Sequence, residues 1–406
     1  MLDQLRIAGM RNQANVPAEL VDPTRVAATL EQHKREPTIT PDQHIRRLMI
    51  DLGRSIAERR KIYLDTRYWI FLRDAAMDRP KLPVHSSLLQ RLRALVVDGI
   101  ALCPISDVTF AELLKQSDSA TRLATARVVD ELSCGVALSV ADLRVGTEFA
   151  HLLHEFGPSA EVHPLHHLVW TKHCFVWGEH YPSETPFSPD MERALQKAFI
   201  DHLWSMSLEQ MVRMIGAAEL PQKADFEETA RRLNAGNRDH QHELRTFPQL
   251  VVAELAGVVD LYKERLADIV DAMHEQQVGS RRSLSPEERR DAESLLRNAI
   301  INLYRLRPSL MAKRAPTLYV GAKCHAAVRW NRGKNLTAND LMDFHHAAAA
   351  LGYCDAFFTD NPLKILLTQN HVQLPNELGR FITADDAEAL RYIESLAKDP
   401  LGAPSR

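Results

Sequence analysis

The stretch LTANDLMDFHHAAAALGYCDAFFTDNP, residues 336–362, constrains the fold more than any other part of the chain. Thr337 followed three residues later by Asp340 has the form of a capping box, so a helix is expected to begin at Thr337 and to run through Ala347 to Ala350. Gly352 is expected just past its end, as the C′ residue. Asp340 and Asp343, three apart, share one helical face, and the alanines after them allow close packing against a neighbour. The run Ala356-Phe357-Phe358-Thr359 is short, apolar and bounded by turn residues, so it reads as a buried strand that delivers Asp360 at its C-terminal end. Open α/β sheets carry their ligand sites at that edge.

A chain of 406 residues has room for two domains, or for one domain with a large insertion. Its five cysteines, Cys103, Cys134, Cys174, Cys324 and Cys354, are odd in number and scattered, with no Cys-x-x-Cys pair. That pattern points to a reducing cytoplasm and away from a cysteine-based zinc site. No stretch approaches the roughly 18 uncharged apolar residues of a membrane span, and the Met-Leu-Asp-Gln start lacks the basic and apolar regions of a signal peptide. The expectation is a soluble cytoplasmic protein with no membrane partner.

A net charge of −3 says nothing by itself about nucleic acid, but the charge is unevenly spread. Residues 297–334 hold nine Lys or Arg and no Asp or Glu, which leaves the rest of the chain at −12. This tract leads straight into the acidic helix, an arrangement that suits a phosphate-backbone ligand; a solvated helical face is the plainer alternative.

Earlier in the chain, residues 1–60 are polar and punctuated by Pro17, Pro23, Pro37 and Pro41, and read as a helical extension. Lys61-Ile62-Tyr63-Leu64 is a brief β-prone run ending in Asp65-Thr66, ahead of an apolar helix that includes Tyr68, Trp69 and Phe71. A second unit follows: residues 86–97 have amphipathic helical spacing, residues 100–105 read as strand, Ser106 as N-cap, and residues 107–114 as a helix bearing Glu112 in its second turn. The order is βαβα, the start of a parallel sheet. Residues 141–330 read as mostly helical, with long segments at 191–215 and 247–273 and an N-cap at Ser285 followed by Pro286 and two glutamates.

Asp65-Thr66 at a strand end, Glu112-Leu113-Leu114 on a helix, Asp343 with Ala347 and Ala350 on another, and Thr359-Asp360 closing the next strand together resemble the PIN-domain nucleases. The resemblance covers roughly residues 61–117 and 336–390. It implies an α/β fold with a PIN-like parallel sheet flanked by helices, in two parts at 61–140 and 331–406, interrupted by the helical insertion 141–330 and preceded by the extension 1–60. It also implies an endoribonuclease that acts on single-stranded RNA. The chain departs from the family at Arg67, where Asn usually follows Asp-Thr, and in the 231 residues between Glu112 and Asp343.

In that light Asp65, Glu112, Asp343 and Asp360 are the expected catalytic carboxylates and ligands of Mg²⁺ or Mn²⁺, hard cations that favour oxygen donors. Each has a plainer reading. Asp65 could be a strand-end turn residue, Glu112 the partner of Thr109 in a capping box, and Asp360 the opening of a turn with Asn361-Pro362. Asp343 has no such reading, lying well inside its helix where aspartate has poor propensity. Asp340 is either a helix cap or a further ligand. Thr66, Arg67, Thr359, Arg329, Arg332 and Lys334 are the expected substrate contacts. The cluster His163, His166, His167, His173 and His180 matches no zinc signature, and neither a glycine-rich phosphate loop nor a His-Glu-x-x-His sequence is present. A PIN-like scaffold that binds RNA without cutting it is the competing reading, and a homo-oligomer or a protein partner docked through the insertion stays open.

Overall fold

The computed structural model describes residues 23–155, 163–176, 178–179, 181–215, 223–239, 245–278 and 285–398. The fold is mostly helical, with a small parallel sheet of four strands. The chain divides into two compact units, one drawn from Met1–Val140, His166–Gln222 and Thr383–Pro404, the other from Ala141–Leu165 and Lys223–Ile382. The units cut across the sequence blocks: residues 166–222, read as part of an insertion, belong with the first.

In the first unit β1 (Arg60–Leu64) pairs in parallel with β2 (Ala101–Leu102), Arg60 opposite Ala101 and Lys61 opposite Leu102. Ile62, Tyr63 and Leu64 are fully buried, which explains why the strand ends in an unbroken apolar run after Arg60 and Lys61. The expected strand over 100–105 shrinks to two residues; beyond it Leu138 donates to the carbonyl of Ile105. A second sheet pairs β3 (Val136–Leu138) antiparallel with β4 (Trp170–Lys172). β4 lies within residues 141–330, read as mostly helical, and had no sign in the sequence, since three residues are too few for an alternating pattern to show.

Helices surround these strands. Thr66–Ala76 follows β1 directly and buries Tyr68, Trp69 and Leu72, while Pro83–Val97 packs on Asp386–Lys398. Pro23–Lys34 and Pro41–Ser55 both pack on Pro189–Trp204. Pro41–Ser55 opens with a capping box between Thr40 and Gln43. The long helical segment expected at 191–215 is two helices, Pro189–Trp204 and Leu208–Ile215, broken at residues 205–207.

The second unit is built around the helix Pro316–Trp330, whose small buried residues Ala322, Cys324, Ala326 and Ala327 let Phe247–Val278 and Ala338–Tyr353 approach it closely. Proline at the first helical position opens Pro286–Leu306, Pro308–Arg314 and Pro316–Trp330, where its missing N–H costs nothing. Ser285 is the expected N-cap, and with Glu288 it also closes a capping box. Ala338–Tyr353 runs one residue past Gly352, so that glycine is interior rather than C′; the helix stops at Cys354, which is extended. β5 (Ala356–Phe358) follows, with Phe357 and Phe358 fully buried, and β6 (Phe381–Thr383) begins where the Phe381 N–H donates to the carbonyl of Asp355 at 3.1 Å. Among the described residues no helix is long and apolar enough to cross a membrane.

Candidate active site

In the first unit the chain leaves buried β1 and turns at once into a helix, with Asp65 at the N-cap in extended conformation. Its carboxylate does not cap the helix it opens. Thr66, one residue on, donates its hydroxyl to Oε2 of Glu112, so the strand end and the helix acid are tied together across 46 residues. Glu112 is held in place from β1 as well. The Tyr63 hydroxyl bonds Ser106 Oγ at 2.6 Å and Thr109 Oγ1 at 2.9 Å, fixing the first turn of the helix Asp107–Leu114. Both hydroxyls therefore face Tyr63: Ser106 makes no side-chain cap, and Glu112 bonds Thr66 rather than closing a box with Thr109.

Arg67 sits beside this pair. Its guanidinium lies over the Phe71 ring, 5.1 Å from the centroid, and 3.7 Å from Oδ1 of Asp386. Asp386 also meets His85 Nε2 at 3.0 Å, and His85 is stacked on Phe71 with ring centroids 4.2 Å apart. Burial, reinforced by the Asp386 carboxylate, holds the Tyr68 phenol well above its ordinary value. Asp386 and His85 had no place in the sequence reading. The signal for Asp386 was present, because Phe381-Ile382-Thr383 followed by Asp385-Asp386 repeats the pattern of a short apolar strand ending in acid.

In the second unit Asp340 completes the capping box: its Oδ2 accepts from the Thr337 N–H at 2.9 Å, and the Thr337 hydroxyl receives the Asp340 N–H at 3.1 Å. Its other oxygen takes Lys334 Nζ at 2.6 Å. Burial would raise the Asp340 carboxyl, but the bonds from Lys334 and Thr337 outweigh it and hold the group below its usual range. Asp343, one turn further on, is half-buried and accepts from Asn339 Nδ2 at 3.2 Å. Asp360 is half-buried at the end of β5 beyond fully buried Thr359; it caps the helix Asn361–Thr368, one oxygen taking the Leu363 N–H at 2.9 Å.

The basic tract splits into two kinds of residue. Lys323 is buried against Glu377 at 2.6 Å, and Arg329 pairs with Glu254 at 3.0 Å with its side chain mostly covered. Arg332 and Lys334 are exposed on the loop ahead of the Ala338–Tyr353 helix. Asn234 pins that loop through two 2.8 Å bonds to the backbone of Leu336. Arg329, Arg332 and Lys334 line one small polar pocket of about 60 Å³ together with Arg238 and Asn335, and Trp330 at its wall is 41% exposed. The larger cavity of about 730 Å³, between Phe247–Val278 and Pro286–Leu306, is apolar and holds none of the expected site residues.

Of the histidine cluster, His173 is a buried structural residue, bonded to Ser133 Oγ at 3.1 Å with Asp130 at 3.4 Å; His163 and His166 are exposed, and His180 lies outside the described residues. No family model, curated protein or solved structure matches the chain.

Proposed function

We propose that this protein is a metal-dependent nuclease, an endoribonuclease in which Asp65, Glu112, Asp343 and Asp360 supply carboxylates to Mg²⁺ or Mn²⁺. The observation that carries the reading is a pattern made once in each unit. A strand that is buried where it ends leads into a half-buried aspartate at a helix N-cap, Asp65 after β1 and Asp360 after β5, and a second half-buried acid stands on a helix, Glu112 and Asp343 respectively. Carboxylate oxygens are the donors a hard divalent cation prefers, so the donor set fits the group. When bound, such an ion neutralises phosphate charge and lowers the pKa of a coordinated water.

The remaining residues have tasks that need no metal. The Thr66 hydroxyl orients the Glu112 carboxylate, and the one-sided cap on Asp360 fixes its rotamer while leaving its other oxygen to a ligand. Arg332 and Lys334 offer phosphate contacts beside the exposed ring of Trp330, a surface for stacking an unpaired base. RNA rather than DNA follows from the family resemblance.

The second reading, an RNA-binding scaffold without catalysis, is favoured by Arg67, which stands where the family usually has Asn and is engaged with Asp386 and Phe71. Cleavage of generic single-stranded RNA with Mn²⁺ separates the two. The nuclease reading expects activity that EDTA abolishes and that Asp343→Asn lowers by at least about a hundredfold, the far-UV spectrum unchanged. Activity that survives in the variant or in chelator overturns it, and a wild type that binds RNA without cutting it establishes the scaffold.

A further inference from the structure

Three helix ends in the first unit bring together His33, His44 and Asp201, and we infer that they form a binding site for a divalent transition-metal ion of the zinc type. His33 Nε2 lies 2.6 Å from Asp201 Oδ2 and His44 Nε2 lies 2.6 Å from Asp201 Oδ1, and the ligand atoms all fall within 4.8 Å of one another. The two imidazole rings meet edge to face at 4.8 Å between centroids. A tetrahedral ion with bonds of about 2.0–2.1 Å to nitrogen holds its ligand atoms roughly 3.4 Å apart, so the three side chains reach that spacing by small rotations.

The frame around them is built. Helix Pro23–Lys34 presents His33 in its last turn, Pro41–Ser55 presents His44 in its first, and Pro189–Trp204 presents Asp201 in its last. Residues 35–40, which join the first two helices, are clamped from the third: fully buried Lys197 donates to the Glu36 carbonyl at 2.6 Å, and Arg193 Nε donates to the Pro37 carbonyl at 3.0 Å. The two histidines are thus held at a fixed separation by contacts that involve neither ring.

Burial is graded across the site. The His33 side chain is 4% exposed, His44 15% and Asp201 22%, so one flank is closed and the other faces solvent. Three protein ligands with an open flank leave a coordination position for water. Two imidazoles and one carboxylate favour Zn²⁺, Ni²⁺ or Co²⁺ and discriminate against Mg²⁺, which seeks an all-oxygen shell. The site shares no residue with the carboxylates proposed for catalysis, and the inference stands whether or not the chain cuts RNA. The alternative is that the three residues only knit the helices together by hydrogen bonds.

The test is metal counting on the full chain, purified without a histidine tag, stripped with chelator and dialysed against micromolar ZnCl₂ in excess Mg²⁺. The wild type is expected to hold one more Zn²⁺ per chain than either His44→Gln or Asp201→Asn, and Zn²⁺ is expected to raise the Tm of the wild type but not of His44→Gln. Equal zinc content in wild type and variants overturns the site. Should the variants prove misfolded by circular dichroism, Co²⁺ titration of the wild type decides. One equivalent giving an intense tetrahedral visible band that Zn²⁺ displaces supports the site, and absence of that band overturns it.

Discussion

Gly53 shows how a single atom can be decisive. A Cβ built on it would lie 2.4 Å from the carbonyl oxygen of His167 and 2.6 Å from its Cα, so the helix Pro41–Ser55 packs there against bare backbone. Elsewhere in a helix, replacing glycine by alanine gains up to about 1 kcal/mol of helix propensity. Here Gly53→Ala is expected to destabilise the protein by about 1–3 kcal/mol, read as a lower urea midpoint at unchanged m, because the backbone of His167 cannot yield as a flexible side chain would. A midpoint that stays or rises would show that the contact is slack. In the sequence, Gly53 is indistinguishable from any other glycine in a helical pattern. Asp340 is the opposite case, its capping role readable three residues away at Thr337.

At the level of elements, Glu148 ties three helices of the second unit. It lies fully buried on Ala141–Glu155; its Oε1 accepts the Thr317 N–H at 2.9 Å from the start of Pro316–Trp330, and the Tyr353 hydroxyl from the end of Ala338–Tyr353. Burial pushes its carboxyl up to about 6 from an ordinary 4.5, against the pull of the Thr317 and Tyr353 bonds and of Arg144. A raised pKa means the folded state binds the proton more tightly than the unfolded state. The stability this adds is full below the ordinary value and disappears as the pH rises through about 6. Glu148→Gln keeps the acceptor and cannot ionise. Its stability relative to wild type is therefore expected to improve by about 2 kcal/mol between roughly pH 4 and pH 7, measured by urea unfolding across that range. A pH-independent difference would show that Glu148 titrates alike in the folded and unfolded states, and so would overturn the shift. The helices themselves were legible from periodicity, caps and N1 prolines; Glu148 was not, because a lone glutamate in an amphipathic stretch carries no mark of its burial.

For the molecule as a whole, the proposed activity makes a prediction about non-additivity. Asp65→Asn and Asp360→Asn should each lower RNA cleavage by at least about a hundredfold, and the double variant should fall no further, since residues that act as one unit lose their contribution together. Asparagine caps a helix as well as aspartate does, so the helix after β5 should survive the change. Losses that multiply in the double variant would mean the two acids act independently and would count against the proposed activity.

What the sequence by itself determined is local. The strand ends at Asp65 and Asp360, the capping box at Thr337, the N-cap at Ser285 and the proline-led helices all depend on interactions spanning about four residues, and these leave a readable pattern. Only the tertiary structure decided which distant groups meet: Thr66 with Glu112, Arg329 with Glu254, and His33 and His44 with an aspartate 168 and 157 residues away. Partner choice over such distances is set by which helix faces are buried together, and no short window of residue types records that.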